Sequence, residues 1–93
     1  MEAQWEPLVC AYPWPCSEAL AVIQCESSGD PNAENGGSLG LMQIHYASHW
    51  DKVDGPAALY DPATNIAVGY QLYADYGSWY HWRFSAECHG LWP

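Results

Sequence analysis

Cationic side chains are scarce in this sequence: its 93 residues hold two Lys and Arg against eleven Asp and Glu, for a formal net charge of −9. Phosphate backbones and anionic membrane surfaces repel such a chain, so we expect neither nucleic acid nor a membrane as a partner. No apolar run approaches the ~20 residues that cross a bilayer. Residues 1–16 also lack the basic and apolar regions of a signal peptide, so export requires a removed leader or another route.

Spacings typical of zinc sites are also missing. No Cys-x-x-Cys pair occurs, and the four histidines are too scattered to predict a metal site, so we expect no metal or other cofactor. An even number of cysteines in a short chain predicts two disulfides and a secreted or extracellular location, although spacing does not choose among the three possible pairings. The cysteines are Cys10, Cys16, Cys25 and Cys88.

The length predicts one domain over residues 1–93, which we expect to be a monomer. A chain of this size buries only about 60–68% of the surface that its unfolded form exposes, so disulfides would help a thin core. Residues 1–16 contain three Pro and two Trp, and prolines remove backbone donors, so we predict an irregular arm here. The catalytic core is then 17–93, of the α+β class but mainly α, with a short β segment.

Two helices have clear sequence signals. Ser17 is a good N-cap and Gly29 a good stop, which predicts a helix over 17–28. Asp61-Pro62 is an N-cap followed by Pro at the first helical position, and apolar residues then recur at helical spacing up to Gly77, which predicts a helix over 62–76. The other expected elements are a loop over 29–37, a short strand or extended segment over 38–44, a helical turn around 46–53 and a short helix before Cys88.

Glu26 is the strongest candidate for chemistry. On a helical period it shares a face with Ala19, Val22 and Ile23, so it is drawn toward the core. Burial and the negative end of the helix both raise the pKa of its carboxyl, as a general acid requires. An equally good interpretation is structural: Glu26 braces the following loop by accepting hydrogen bonds from Asn35 or from backbone N–H groups.

Three segments carry a resemblance to a known family: CESSGDPNA at 25–33, GLMQI at 40–44 and LYDPATNI at 59–66. In this order they resemble the lysozyme-like domain of soluble lytic transglycosylases and goose-type lysozymes, over about residues 17–82. The Ala-Tyr-Asn-Ala-Gly motif usual after the long helix is replaced by GSWYHW at 77–82. The short, cysteine-bearing C-terminal part is similar to resuscitation-promoting factors and small phage or actinobacterial lysozymes.

The resemblance implies a small lysozyme-like fold that cleaves the β-1,4 bond between N-acetylmuramic acid and N-acetylglucosamine in peptidoglycan. Glu26 would protonate the leaving oxygen, and the likeness pairs Cys25 with Cys88 and leaves Cys10 with Cys16. A lytic transglycosylase needs one carboxylate, whereas an inverting hydrolase needs a second, about 6.5–9.5 Å away, to activate water. By likeness to goose-type enzymes Glu34 is the candidate for that second carboxylate.

Predicted substrate-binding residues cluster around the second segment. The family's sugar-binding glutamine matches Gln43, whose alternative is an exposed strand residue, and Gly40 allows close approach of the backbone to sugar or marks a bulge. His45 stands beside Gln43, although a surface histidine is the plainer interpretation. Aromatic side chains stack on sugars, but most rings in a small domain are core, so we expect two or three to face substrate. The aromatic candidates are Tyr46, Trp50, Tyr73, Trp79 and Trp82.

Two other functions remain open at this point. One is a noncatalytic module that binds peptidoglycan or chitooligosaccharides after losing the reaction. The other is a small secreted interaction domain, stapled by disulfides, whose acidic surface binds a basic protein.

Overall fold

The structure is a computed structural model that describes residues 2–92. It is mainly helical with a small sheet, as the sequence predicts. The helices are α1 (Glu2–Val9), α2 (Cys16–Ser27), α3 (Tyr46–His49), α4 (Pro62–Tyr76) and α5 (Ala86–His89), and 3₁₀ turns cover Trp50–Lys52, Pro56–Tyr60 and Tyr80–Ser85. The strands are β1 (Glu34–Asn35), β2 (Ser38–Leu39) and β3 (Ile44–His45). Within the described range, no helix is long and apolar enough to span a bilayer.

The prediction of an irregular arm over 1–16 is wrong in part, because α1 occupies Glu2–Val9 with Pro7 inside it. Pro7 forfeits one backbone hydrogen bond, but tertiary packing outweighs that loss. Trp5 and Val9 stand one turn apart and are both buried, and the Trp5 indole N–H donates to Gly29 O at 2.9 Å. The arm therefore packs against the end of α2 as a short helix.

Helix α2 matches the predicted helix to within one residue at each end, but its start differs from prediction. The residue before the helix is Pro15, in extended conformation, and no side chain caps the first turn, so Ser17 is not the N-cap. At the other end the Ser28 N–H donates to Gln24 O at 3.1 Å, which closes the last turn. Ser27 Oγ lies 2.7 Å from Leu41 O and ties this end of α2 to the loop between residues 39 and 44.

The small sheet corrects two predictions. Glu34–Asn35 is strand β1 rather than loop, and the segment over 38–44 is not one strand but β2, a turn and β3. All three strands are antiparallel in the order β1-β2-β3. The chain turns between β2 and β3 because Gly40 and Gln43 both adopt left-handed backbone conformations, with φ of 77° and 52°.

Helix α4 runs over the predicted residues and starts as predicted, with Asp61 accepting a hydrogen bond from Thr64 N at 3.0 Å. Its buried Asn65 fastens the sheet to the helix. The Asn65 amide accepts from Met42 N at 2.8 Å and donates to Leu39 O and Leu59 O at 2.8 and 2.9 Å. A Cβ on Gly40 would collide with this amide and with Leu59 O, so glycine is required at that point of contact.

The structure joins Cys10 to Cys16 and Cys25 to Cys88, the two pairings that the resemblance implied. The first bridge closes the turn between α1 and α2. The second joins positions 63 residues apart and holds α5 against the last turn of α2. It therefore fixes the C-terminal segment next to Glu26.

Candidate active site

A cleft of about 390 Å³ opens between α2, the sheet and the Tyr80–Ser85 turn, a size typical of small-molecule sites. The residues that line it are Glu26, Ser38, Gln43, Ile44, His45, Ser48, His49, Leu72, His81, Trp82, Arg83 and Phe84. Glu26 is the one acidic side chain in this lining, although the sequence has eleven acidic residues. The cleft is therefore the place where this acidic protein presents a single carboxyl among neutral and basic groups.

Glu26 reaches the cleft from the last turn of α2, while Ala19, Val22 and Ile23 are buried beneath it. Its carboxyl is partly buried and contacts neither Asn35 nor the turn that follows, so the proposed bracing of the loop is wrong. The carboxyl instead meets Ser85, whose Oγ lies 2.5 Å from Glu26 Oε2. Ser85 thus orients the carboxyl from the opposite side of the cleft.

Burial raises the pKa of the Glu26 carboxyl above its ordinary value, because the charged form loses hydration. The hydrogen bond from Ser85 and the nearby His89 both favour the charged form and act in the opposite direction. Burial is the largest of these effects, so the net shift is upward. A carboxyl in this position can hold a proton at higher pH than an exposed glutamate and still release it.

The Ser85 hydroxyl has a second acceptor, because its Oγ also lies 3.1 Å from Trp82 O. One hydroxyl hydrogen serves one acceptor well at a time. When Glu26 is ionised, Ser85 donates to the carboxylate. When Glu26 is protonated, the carboxyl can donate to Ser85 while Ser85 donates to the Trp82 carbonyl, so the arrangement suits both states.

The segment that carries Ser85 is held by two further contacts. The Trp82 indole N–H donates to Met42 O at 2.8 Å, which fixes the 3₁₀ turn to the loop between β2 and β3. His89 Nε2 lies 2.9 Å from Trp82 O, and its Nδ1 accepts from Leu91 N at 3.0 Å, so Nε2 carries the proton that it donates to Trp82 O. Trp82, Ser85 and His89 therefore form one hydrogen-bonded support behind Glu26.

Of the predicted substrate-binding residues, Gln43, His45 and Trp82 line the cleft with Glu26. The Gln43 side-chain amide donates to Ala33 O and Gly40 O at 3.1 and 2.9 Å and accepts from Asn35 at 3.0 Å. These bonds hold its amide rigidly at the cleft wall. His45 is exposed, and its Nδ1 lies 2.9 Å from Ser48 Oγ.

The structure does not bring the remaining predicted site residues to the cleft. Glu34 is exposed and accepts a hydrogen bond from Gly37 N at 2.9 Å, while Gly40 is buried against α4. Tyr46 is half-buried, and its backbone N–H donates to Gly37 O. The Tyr73 and Trp79 rings pack against each other at an angle of 46°, with centroids 4.5 Å apart, in an aromatic cluster with Trp14. None of these five residues lines the cleft, and neither does Trp50, which is 63% exposed.

Several lining residues were not found from the sequence, among them His49, His81, Arg83 and Phe84, and neither was Ser85, the hydrogen-bond partner of Glu26. Ser85 is 59 residues from Glu26 in sequence, and no local pattern connects them. The one sequence signal that could have indicated this contact is the Cys25–Cys88 pairing implied by the resemblance, because it places the segment before Cys88 beside Glu26. Phe84 is 89% exposed at the edge of the cleft, where its ring offers a flat apolar surface for a sugar.

A carboxyl with a raised pKa, set in a cleft of a small, mainly helical α+β domain, fits the lysozyme-like class of proteins. A comparison with protein-family models agrees: the Transglycosylase SLT domain model matches residues 5–86. The chain belongs to this family, whose members act on peptidoglycan. Comparisons with curated proteins and with solved structures return no match.

Proposed function

We propose that this protein is a lytic transglycosylase that cleaves the β-1,4 bond between N-acetylmuramic acid and N-acetylglucosamine in peptidoglycan, with Glu26 as its acid and base. The expected product carries a 1,6-anhydro ring. Its place of action is outside the cytoplasm, which the two disulfides support because such bonds persist in oxidising compartments.

The observation that carries this proposal is the single carboxyl in the cleft. An inverting hydrolase needs a second carboxylate, about 6.5–9.5 Å from the first, to activate water. Glu34, the candidate from the sequence, lies on β1 outside the cleft lining. Besides Glu26, the lining side chains are histidines, hydroxyls, the Gln43 amide, Arg83 and apolar groups. The described residues thus favour a reaction that needs one carboxyl and no activated water.

In the proposed reaction, protonated Glu26 gives its proton to the glycosidic oxygen as the bond from that oxygen to muramyl C1 breaks. The acetamide oxygen of the same sugar closes on C1 and holds the positive charge. The Glu26 carboxylate then takes the proton of the 6-hydroxyl, whose oxygen attacks C1 and releases the acetamide. No water is consumed, and Glu26 recovers its proton.

Ser85 supports both halves of this cycle as a positioning residue. Its hydroxyl donates to the Glu26 carboxylate after the first proton transfer and can turn toward Trp82 O when Glu26 is protonated again. The carboxyl therefore keeps its orientation in both protonation states. Holding the acid in reacting geometry is itself a large part of catalysis.

The test is the chemistry of the product. Digestion of purified peptidoglycan in ¹⁸O-labelled water should yield muropeptides with anhydro ends that lack one water and carry no label, as read by mass spectrometry. Labelled reducing ends would show hydrolysis and contradict the proposal. Binding of glycan strands without any product would instead identify a noncatalytic module.

Replacing Ser85 by Ala should lower kcat/KM about tenfold, the cost of losing a hydrogen bond to a charged group. Because Ser85 favours the ionised carboxyl, its loss raises the pKa of Glu26 further, and the alkaline limb of the pH–rate profile should move to higher pH. Ser85→Thr keeps the hydroxyl and should restore the parent limb. An alkaline limb that stays in place in Ser85→Ala would show that Ser85 does not act on Glu26.

A further inference from the structure

The few basic groups of this chain gather at one side of the cleft. Both cations of the sequence, Lys52 and Arg83, belong to this group, together with His49 and His81. Lys52 Nζ lies 3.3 Å from His49 Nδ1, and the ring centroids of His49 and His81 are 5.5 Å apart. We call these four residues the basic wall; Arg83, His49 and His81 line the cleft, and Lys52 stands behind them.

Arg83 is held in place with most of its donors unused. Its guanidinium carbon lies 3.9 Å from the centroid of the Tyr80 ring and 4.6 Å from that of Phe84. Among the described residues, Nη1 donates to Tyr80 O at 2.9 Å, which is the one hydrogen bond that the guanidinium makes. A stacked guanidinium with free N–H groups matches the planar, two-oxygen geometry of a carboxylate.

His81 gives an independent indication. Its Nε2 is buried and has no hydrogen-bond partner among the described residues, an arrangement that costs stability and is uncommon in folded proteins. Burial, together with Arg83 and Lys52, lowers the pKa of His81, and burial together with Lys52 lowers that of His49. At neutral pH the imidazoles are therefore neutral hydrogen-bonding groups, and Lys52 and Arg83 carry the charge.

The acidic groups near the basic wall do not neutralise it. Asp51 lies 3.8 Å from Lys52 Nζ, but its side chain is 65% exposed and screened by water. Asp75 acts on His81 from an exposed position of α4, and His45 lowers the pKa of His49. Glu26 belongs to the same cleft but has its own partner, Ser85. The positive charge of Arg83 thus remains available inside the cleft of a protein whose net charge is −9.

We propose that the basic wall is a substrate-binding subsite for a carboxylate, the one carried by the lactyl group of muramic acid or by the peptide attached to it. Arg83 binds the carboxylate, His49 and His81 line the subsite beside it, and Lys52 adds charge from behind. The subsite would favour muramic acid strands over chitooligosaccharides, which have no carboxylate. This inference rests on the proposed function, because it names which glycan the same cleft selects.

Binding measured by calorimetry in a Glu26→Gln background tests the subsite without turnover. Three ligands are compared: chitooligosaccharide, peptide-free muramic acid strands, and strands that keep their peptides. Arg83→Gln should reduce the preference for carboxylate-bearing strands over chitooligosaccharide about tenfold, the effect of one charge-assisted hydrogen bond. Gln71→Glu, an exposed change on α4 with the same effect on net charge, should leave that preference within about twofold.

Each outcome decides a separate point. If peptide-free strands show the full Arg83-dependent preference, the lactyl carboxylate is the ligand, and if only peptide-bearing strands do, the peptide supplies it. An unchanged preference in Arg83→Gln, or an equal loss in Gln71→Glu, would overturn the subsite. These results are independent of the ¹⁸O experiment, so the reaction and the subsite can fail separately.

Discussion

Replacing Glu26 by Gln should lower kcat for peptidoglycan cleavage at least about a thousandfold, because a single group serves as acid and then as base in both steps. The amide keeps the size of the side chain and can still accept a hydrogen bond from Ser85, but it is neither acidic enough to give up a proton nor basic enough to take one. Affinity for glycan strands should stay close to that of the parent protein. Product release measured by mass spectrometry gives the rate, and calorimetry gives the affinity.

Stability separates a catalytic effect from misfolding in this variant. Burial raises the folded-state pKa of Glu26 above that of the unfolded chain. Ionisation of Glu26 therefore lowers the free energy of unfolding as the pH rises from the unfolded-state pKa of Glu26 through its folded-state pKa. The Glu26→Gln variant should accordingly melt at the same temperature as its parent or higher at neutral pH, and the difference should shrink as pH falls.

Glu34→Gln is the matched control, since it makes the same chemical change at an exposed carboxyl outside the cleft. The amide oxygen introduced there can still accept the hydrogen bond from Gly37 N, so cleavage should stay within about twofold of the parent rate. A loss comparable to that of Glu26→Gln would make Glu34 the second carboxylate of a hydrolase. Full activity of Glu26→Gln would remove Glu26 from the mechanism altogether.

The parts of the fold that could be predicted from sequence are those set by local signals. Helix α4 has an N-cap, a following Pro and a terminal Gly within its own sequence, and it was predicted with the observed bounds. Helix α1 could not be predicted because tertiary contacts stabilise it. The Trp5 indole N–H donates a hydrogen bond to Gly29 O, and no local sequence pattern indicates this contact. The prolines around it argued for irregular chain, and tertiary packing overrode them.

Part of the candidate site could also be predicted from local sequence signals, and part could not. Glu26 was found because the helical period places it on the buried face of α2, and Gln43 because it lies in a recognisable segment. The opposite side of the cleft comes from residues 81–85, whose 3₁₀ turn has no periodic signal. The sequence also does not predict which aromatic side chains are exposed. Trp79 is 3% exposed and belongs to the core, whereas Phe84 is 89% exposed at the cleft.

The bridge between Cys25 and Cys88 is the covalent link that brings the two sides of the site together, and its removal has the largest expected effect on stability. Closing a loop between residues 63 apart stabilises the folded state by about 4 kcal/mol in the chain-entropy model. For a domain of this size that corresponds to a fall in Tm of about 15–30 °C. Thermal unfolding of the Cys25→Ser, Cys88→Ser double variant measures it.

The other disulfide provides a control of the same chemistry at a remote place. Cys10 and Cys16 are 6 residues apart, so their replacement by Ser should cost only about 2 kcal/mol. Assayed well below both melting temperatures, this double variant should keep near-parent kcat, because its loop lies away from the cleft. Loss of the Cys25–Cys88 bridge should lower kcat even there, since α5 then no longer holds Ser85 against Glu26. Equal activity in the two variants would show that packing alone positions Ser85.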